Sequence, residues 1–344
     1  MIKEPNPIYF TALRGLGDVA LELLVINAIA EVKNKELYVI TNPRTHKFTK
    51  QYIDLFKYKI KIVKLAQTKK WKRKTIYDLN PRIRSIKIIT QLIKLRLFGK
   101  LNSYRLQESG NWNKGIKARI LIILTENILS RFILKAKPIK GIVTSEEVTF
   151  SFEHIINSIV RIVSKEFHIS KENLQQSINC KLSMVREKQS ENFKNQSQEP
   201  SFTLVLPEVG GVIHKQLREI DIEKIKIKTK LRLKIGTFSG SNYNLNQNFS
   251  SIKYNSLKEL VNLSFSAKDI IATDSLPAHI LALIGRPITV YVPGTEYGAF
   301  WPYPKWLKTK ITIMSSTEKH CFCCHGVCTY SYRCMQWENI IYSK

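Results

Sequence analysis

The sequence predicts an α/β protein built from two doubly wound, Rossmann-like domains that face a cleft. Three observations carry this expectation. Apolar runs of strand length alternate with helix-length apolar stretches in both halves of the 344 residues. That length suits two ordinary domains rather than one. A polar stretch, "REKQSENFKNQSQEPS" from Arg186 to Ser201, shows no hydrophobic period and reads as an interdomain linker. The expected division is a domain over 1–185, a linker over 186–201 and a second domain over 202–344.

In the first half, "PIYFTAL" reads as a strand, Asp18 to Glu31 as a buried helix, and "ELYVIT" as a second strand. "KIKIVKL" follows as a third strand, completing a βαβ grammar that implies a parallel sheet. "YDLNPRIRSIKIITQLIKLRLF" is a strand end running into a basic amphipathic helix, with Ile86, Ile89, Ile93 and Leu97 along one side. The turn between the first strand and helix, "ALRGLGDVALE", is unusual. A dinucleotide cradle would want G-x-G-x-x-G, and here Gly17 is followed at once by Asp18. An acid at a helix N-terminus repels the phosphate that such a turn would otherwise hold. The turn is a better seat for an acid that works than for a cofactor.

The second half repeats the pattern. "FTLVLP" is a strand, Lys215 to Lys224 is helical, "LRLKIGT" is a strand and "SLKELVNLSF" a helix. "DIIATD" is then a strand, "PAHILALIG" a helix and "PITVYV" a strand. Asp274 closes a strand, Ser275 stands where it would cap the next helix, and Pro277 suits that helix's first turn. Such a helix start offers backbone N–H groups to an anion, and His279 would add a donor.

Charge narrows the partners. The net charge is +28, and Lys57 to Lys140 holds 23 Lys plus Arg against Asp78, Glu108 and Glu126, which is +20 of it. So basic a region favours an anionic partner: a lipid surface, an anionic saccharide or nucleic acid. Interleaved aromatic platforms and familiar nucleic-acid modules are not apparent there, so nucleic acid is not the expected partner. Lys3, Glu4 and two prolines before the first strand argue against a secretory leader, and no apolar run reaches about 18 residues. A cytoplasmic protein is expected. Five of the six cysteines fall between Cys321 and Cys334. Cys321, Cys324, Cys328 and Cys334 have a spacing that suits a structural zinc or iron; a cluster of free thiols packing the C-terminal segment is the other reading.

Several stretches, in order, carry a resemblance. "LRGLGDVAL", "YDLNPRIRS", "LPEVGGVIHKQL", "DSLPAHILALIGRP" and the Cys-rich end "CFCCHGVCTYSYRCMQWENI" are similar to segments of glycosyltransferase family 9, the heptosyltransferase-like enzymes of the GT-B fold that build lipopolysaccharide core. Only Leu101 to Ser151 is unanchored by the likeness. The resemblance implies an inverting sugar transfer from a nucleotide-sugar donor, ADP-heptose first among them, to a lipid-linked or polysaccharide acceptor. Asp18 would be the general base, with Arg14 and Gly17 beside the acceptor. Lys215, Asp274, Ser275, Leu276 and His279 would bind the donor diphosphate without a catalytic cofactor. It also implies a place at the inner face of the inner membrane, as a peripheral protein.

Two departures bear on the donor. Leu276 stands where the family pattern has glycine, and "TFSGSNYN" after Gly236 offers no acid for a ribose. A different nucleotide sugar or a protein acceptor is therefore an alternative within the same chemistry, and a basic nucleic-acid-binding protein is the alternative outside it.

Overall fold

The computed structural model describes residues 7–67, 74–81, 86–107, 128–129, 131–140, 154–194, 202–208, 216–217, 219–229, 231–239, 243, 249–292, 301, 303–316 and 340–343. Contacts divide the chain into two units, one ending at Ile178 and the other beginning at Asn179.

The first unit runs β1 (Ile8–Ala12), α1 (Leu16–Lys33), β2 (Leu37–Thr41), α2 (Pro43–Phe56), β3 (Ile60–Lys64) and β4 (Thr75–Asp78). It continues with α3 (Ile86–Phe98), β5 (Lys100–Gln107), β6 (Lys137–Lys140), α4 (Ile155–Phe167) and the start of α5 (Lys171–Lys194). The sheet order is β3-β2-β1-β4-β5-β6, and every pairing in it is parallel. Helix α1 is buried on all sides from Val19 to Ala30, which is why its sequence shows no polar face. It packs against α2 and α4 and stops where Asn34 turns left-handed. Asn42 starts α2 with a reciprocal cap: its Oδ1 accepts from the Thr45 N–H at 2.9 Å, and its own N–H donates to Thr45 Oγ1 at 3.3 Å. In α4, Ile155, Ile156, Ile159, Val160, Ile162 and Val163 make one buried stripe at helical spacing.

Helix α3 differs from expectation in its rotation. Ile89, Leu92 and Leu95 enter the core with Leu13, Ile40 and Ile76, while Ile93 is only partly buried. Leu97, expected in the buried stripe, is 75% exposed. Beside the exposed end of α3, the Arg96 guanidinium donates to the Leu134 carbonyl, and Leu134 belongs to the same core.

The second unit contains β7 (Phe202–Leu206), α6 (Glu219–Lys228), β8 (Arg232–Phe238), β9 (Ser250–Tyr254), α7 (Leu257–Phe265) and β10 (Asp269–Thr273). After these come α8 (Leu276–Leu283), β11 (Ile288–Val292), a 3-10 turn (Lys305–Leu307), β12 (Ile311–Ser316) and β13 (Ile340–Ser343). Its order is β13-β12-β11-β10-β7-β8-β9, parallel throughout except for the antiparallel β12–β13 pair. All five residues of β7 are buried, as a central strand covered on both faces requires. Gly236 in β8 is needed for that packing, because a Cβ there would stand 2.7 Å from Leu206 Cδ2.

The expected linker over 186–201 is corrected in its first part, because 186–194 are the last turns of α5. The helix is polar because only a narrow line of it, Leu174, Ile178, Leu182 and Val185, is buried. Its end is held by specific contacts that a hydrophobic pattern does not reveal. Arg186 donates from Nε to the Leu283 carbonyl at 3.1 Å and from Nη2 to the Leu307 carbonyl at 3.2 Å. Phe193 stacks on Phe265 with ring centres 4.3 Å apart.

Candidate functional site

In an open parallel sheet, ligands bind beyond the carboxyl ends of the strands where the order reverses. Each unit has one such point: between β1 and β4 in the first, and between β7 and β10 in the second. Of the residues singled out by sequence, Arg14, Gly17, Asp18, Asp274, Ser275, Leu276 and His279 fall at these two places.

At the first point, β1 ends at Ala12 and the chain turns through Gly15 into α1. Gly15 is exposed, and a Cβ on it would lie 3.2 Å from Asp18 Oδ2, so glycine leaves the carboxylate room above the turn. Gly17 and Asp18 follow in the first turn of the helix. Asp18 is half-buried, and Asn80 Nδ2 donates to its Oδ1 at 3.3 Å.

Asn80 is itself positioned by a buried ion pair. Asp78, the last residue of β4, accepts from Arg14 Nη1 at 2.7 Å, from Arg14 Nη2 at 2.9 Å and from Thr11 Oγ1 at 2.7 Å. Arg14 Nη2 also donates to the Asn80 carbonyl at 2.6 Å. Burial opposes the Arg14 charge, but the attraction and hydrogen bonds of Asp78, with Glu22 and Asp18 beyond it, outweigh that and raise the guanidinium pKa. Arg14, expected beside the acceptor, has a side chain only 3% exposed, and these bonds tie the β1–α1 turn to the end of β4.

One turn beyond Asp18, Glu22 is 1% exposed and neither of its oxygens meets a donor in hydrogen-bonding geometry. Burial pushes its pKa up to about 8; Arg14 and the Asn80 amide pull against this, and the Asp78 and Asp18 carboxylates add to it. Of these three acids, Asp18 alone is open to solvent. The arrangement leaves Asp18 open to take a proton from a ligand, while the Arg14–Asp78 pair behind it is held by buried hydrogen bonds.

At the second point, β10 leads into α8, and Ser275 occupies the N-cap position. Its hydroxyl does not cap the helix as expected: it donates back to the Thr273 carbonyl at 3.1 Å. The start of α8 therefore has no side-chain cap. Pro277 brings no N–H, so the first-turn donors are those of Leu276 and Ala278, the kind of group that holds an anion. Leu276 is half-buried there.

Asp274 and His279 lie together in an aromatic stack. Trp301 Nε1 donates to Asp274 Oδ1 at 2.7 Å, and His279 Nε2 stands 3.8 Å from the same oxygen. His279 Nδ1 is 2.6 Å from Tyr303 Oη. The imidazole stacks on Trp301 with centres 4.7 Å apart, and Trp301 on Tyr303 at 4.9 Å. His279, expected to reach an anion, is thus 2% exposed, with one ring nitrogen directed at Tyr303 and the other towards Asp274.

The structure adds Asp78, Asn80, Glu22, Trp301, Tyr303 and Glu208 to the residues the sequence selected. Glu208 follows β7, and its Oε2 accepts from the Phe238 N–H at 2.8 Å, while its carbonyl accepts from Thr273 Oγ1 at 3.1 Å. No acid follows Gly236 in β8, yet an acid from the neighbouring strand stands at the end of β8. Lys215 and the cysteines Cys321, Cys324, Cys328 and Cys334 lie outside the described residues. Among the described residues no group of His, Cys, Asp and Glu could hold a metal ion, and no helix is long and apolar enough to cross a membrane.

No protein-family model matches the sequence, and no curated protein matches it either. Solved structures do. E. coli heptosyltransferase WaaC with ADP aligns over 95% of this chain and 98% of its own, with a TM-score of 0.51 and 8% identity. E. coli ADP-heptose lipopolysaccharide heptosyltransferase II aligns over 91% of this chain and 92% of its own, with a TM-score of 0.50 and 11% identity. The likeness extends over both units and shows the fold: the α/β, GT-B architecture of heptosyltransferase-like proteins.

Proposed function

We propose that this chain is an inverting glycosyltransferase that moves a sugar, heptose from ADP-heptose, onto an anionic lipopolysaccharide-type acceptor at the inner face of the membrane. The observation that carries the reading is Asp18: a half-buried acid in the first turn of α1, at the sheet's reversal point, oriented by Asn80. Asp18 takes the proton of the acceptor hydroxyl as that oxygen attacks the anomeric carbon. The bond from that carbon to the diphosphate oxygen breaks as the new one forms, and the nucleoside diphosphate leaves with the electron pair. The N–H groups at the start of α8, with Lys215, meet its charge. Two of the solved structures whose folds match this chain are named for ADP and for ADP-heptose, which supports an adenine nucleotide donor.

Leu276 favours a second donor within the same chemistry. A leucine at the first position of α8 limits how closely a diphosphate approaches the backbone, so a nucleotide other than ADP, or a different acceptor class, fits the same fold. A thermal-shift screen of ADP-, UDP-, GDP- and CMP-sugars separates these, since a ligand that binds the native state raises its melting temperature. A shift with ADP-heptose, followed by release of ADP when an anionic glycolipid acceptor is added, is the expected result. No shift with any nucleotide sugar overturns the assignment.

A further inference from the structure

Five of the eight large apolar side chains that stand exposed among the described residues fall in two short stretches. Leu97 and Phe98 end α3, 75% and 47% exposed, and Ile128, Phe132 and Ile133 are 45%, 66% and 41% exposed. The other three, Val32, Met184 and Ile227, are isolated in the sequence, as single surface apolar residues commonly are. The two stretches are neighbours in space. Arg96 donates to the Leu134 carbonyl, and Leu129 and Leu134 pack on the core cluster that receives Leu92 and Leu95.

The rim is basic. Lys94, Lys100, Arg131 and Lys135 are exposed around these side chains, and neither 86–107 nor 128–140 contains an acid. We propose that the end of α3 and residues 128–129 and 131–134 form a docking surface for an anionic lipid bilayer, with Leu97, Phe98, Phe132 and Ile133 entering the headgroup–acyl boundary. Apolar tips inside a basic ring match what such a surface presents: hydrocarbon under a layer of negative charge. A second copy of this chain offers no such match, because two predominantly basic faces repel; the acid that pairs with this stretch, Glu166, offsets only Lys137. Nucleic acid offers the charge but no apolar layer for Leu97 and Ile133. The inference deepens the membrane-side location proposed above, and rests on it only in placing the acceptor at that bilayer.

The test uses the full chain and vesicles of phosphatidylcholine, with and without phosphatidylglycerol. Wild type is expected to sediment with the anionic vesicles and to keep part of that binding at high salt, because the apolar part is not screened. The pairs Leu97→Ser with Phe98→Ser, and Phe132→Ser with Ile133→Ser, are expected to weaken binding on the order of tenfold each. Their melting temperatures, and any shift produced by nucleotide, are expected to match wild type. Phe132→Trp is expected to be quenched by brominated acyl chains. Three results overturn the proposal: serine pairs that bind as wild type does, no binding to anionic vesicles, or a wild-type dimer that the serine pairs dissociate. Loss of vesicle binding without loss of a nucleotide shift concerns this surface alone, and the reverse concerns the glycosyl-transfer reading alone.

Discussion

Asn80, two residues past the end of β4, donates its side-chain amide to Asp18 in the first turn of α1, at 3.3 Å. The contact joins two strands' ends at the place where a parallel sheet opens to ligand, and it fixes which way the acid faces.

Asp18→Asn keeps the shape and removes the proton acceptor. Folding and nucleotide binding should stay near wild type, while turnover falls about 10²–10⁴-fold, the usual worth of a positioned base. Asn80→Ala should lower turnover less, because it loosens the carboxylate without removing it. Steady-state kinetics on the three proteins decide this; wild-type turnover in the Asn variant would sink the role given to Asp18.

Arg14 is predicted to matter through the structure it holds. Arg14→Ala leaves Asp78 buried without its cation, and breaking such a pair costs about 3–5 kcal/mol. Arg14→Lys keeps a charge but loses the two-pronged contact and the bond to the Asn80 carbonyl, so it should fall between. Denaturant unfolding measures both. An alanine variant as stable as wild type would mean that the pair contributes little, and that Asn80 is positioned by other contacts.

Glu22 gives a signature in pH. Its pKa is about 8 when folded against an ordinary value of 4.5, so between these values the folded state holds a proton that the unfolded state releases. Stability at this site is therefore greatest below about pH 4.5 and falls as pH rises to about 8. Glu22→Gln removes the titration. Relative to wild type, the variant should gain about 1–3 kcal/mol between pH 5 and pH 8, the scale of an unsatisfied buried group. Parallel stability curves for the two proteins across that range would reject the account.

The alternation of strands and helices was legible because apolar runs of the right lengths recur, and Asp18 stood out because an acid occupies a turn that otherwise suits phosphate. The partners of Asp18 did not. Arg14 and Asp78 are 64 positions apart, and their meeting depends on β4 lying beside β1, a pairing that periodicity does not encode. The end of α5 was hidden for a different reason: it is held by Arg186 reaching two carbonyls and by one stacked ring pair, contacts that leave no apolar stripe. Glu208 leaves no signal along β8, because the acid that meets the Phe238 N–H comes from the end of the neighbouring β7. The place of His279 one turn into α8 suggests an anion donor; Trp301 and Tyr303, more than 20 residues later, enclose it.

Leu276 decides how the start of α8 treats a diphosphate. The helix has no side-chain cap, since Ser275 bonds the Thr273 carbonyl, and Pro277 contributes no N–H. Its anion-holding capacity therefore rests on the backbone around Leu276, whose side chain is half-buried at that point. If the leucine obstructs the phosphate, Leu276→Gly should tighten ADP binding by on the order of 1 kcal/mol, the size of relieved local strain. If the leucine instead selects another nucleotide, the same change should bring the ADP and UDP affinities closer together with little net gain. Glycine at a helix's first position costs less than in its interior, so a melting temperature within a few degrees of wild type is expected as the control. Isothermal titration of both proteins with ADP and with UDP separates the outcomes. Absence of nucleotide binding in both would assign the start of α8 a purely structural role, with Leu276 packing where a diphosphate would otherwise sit.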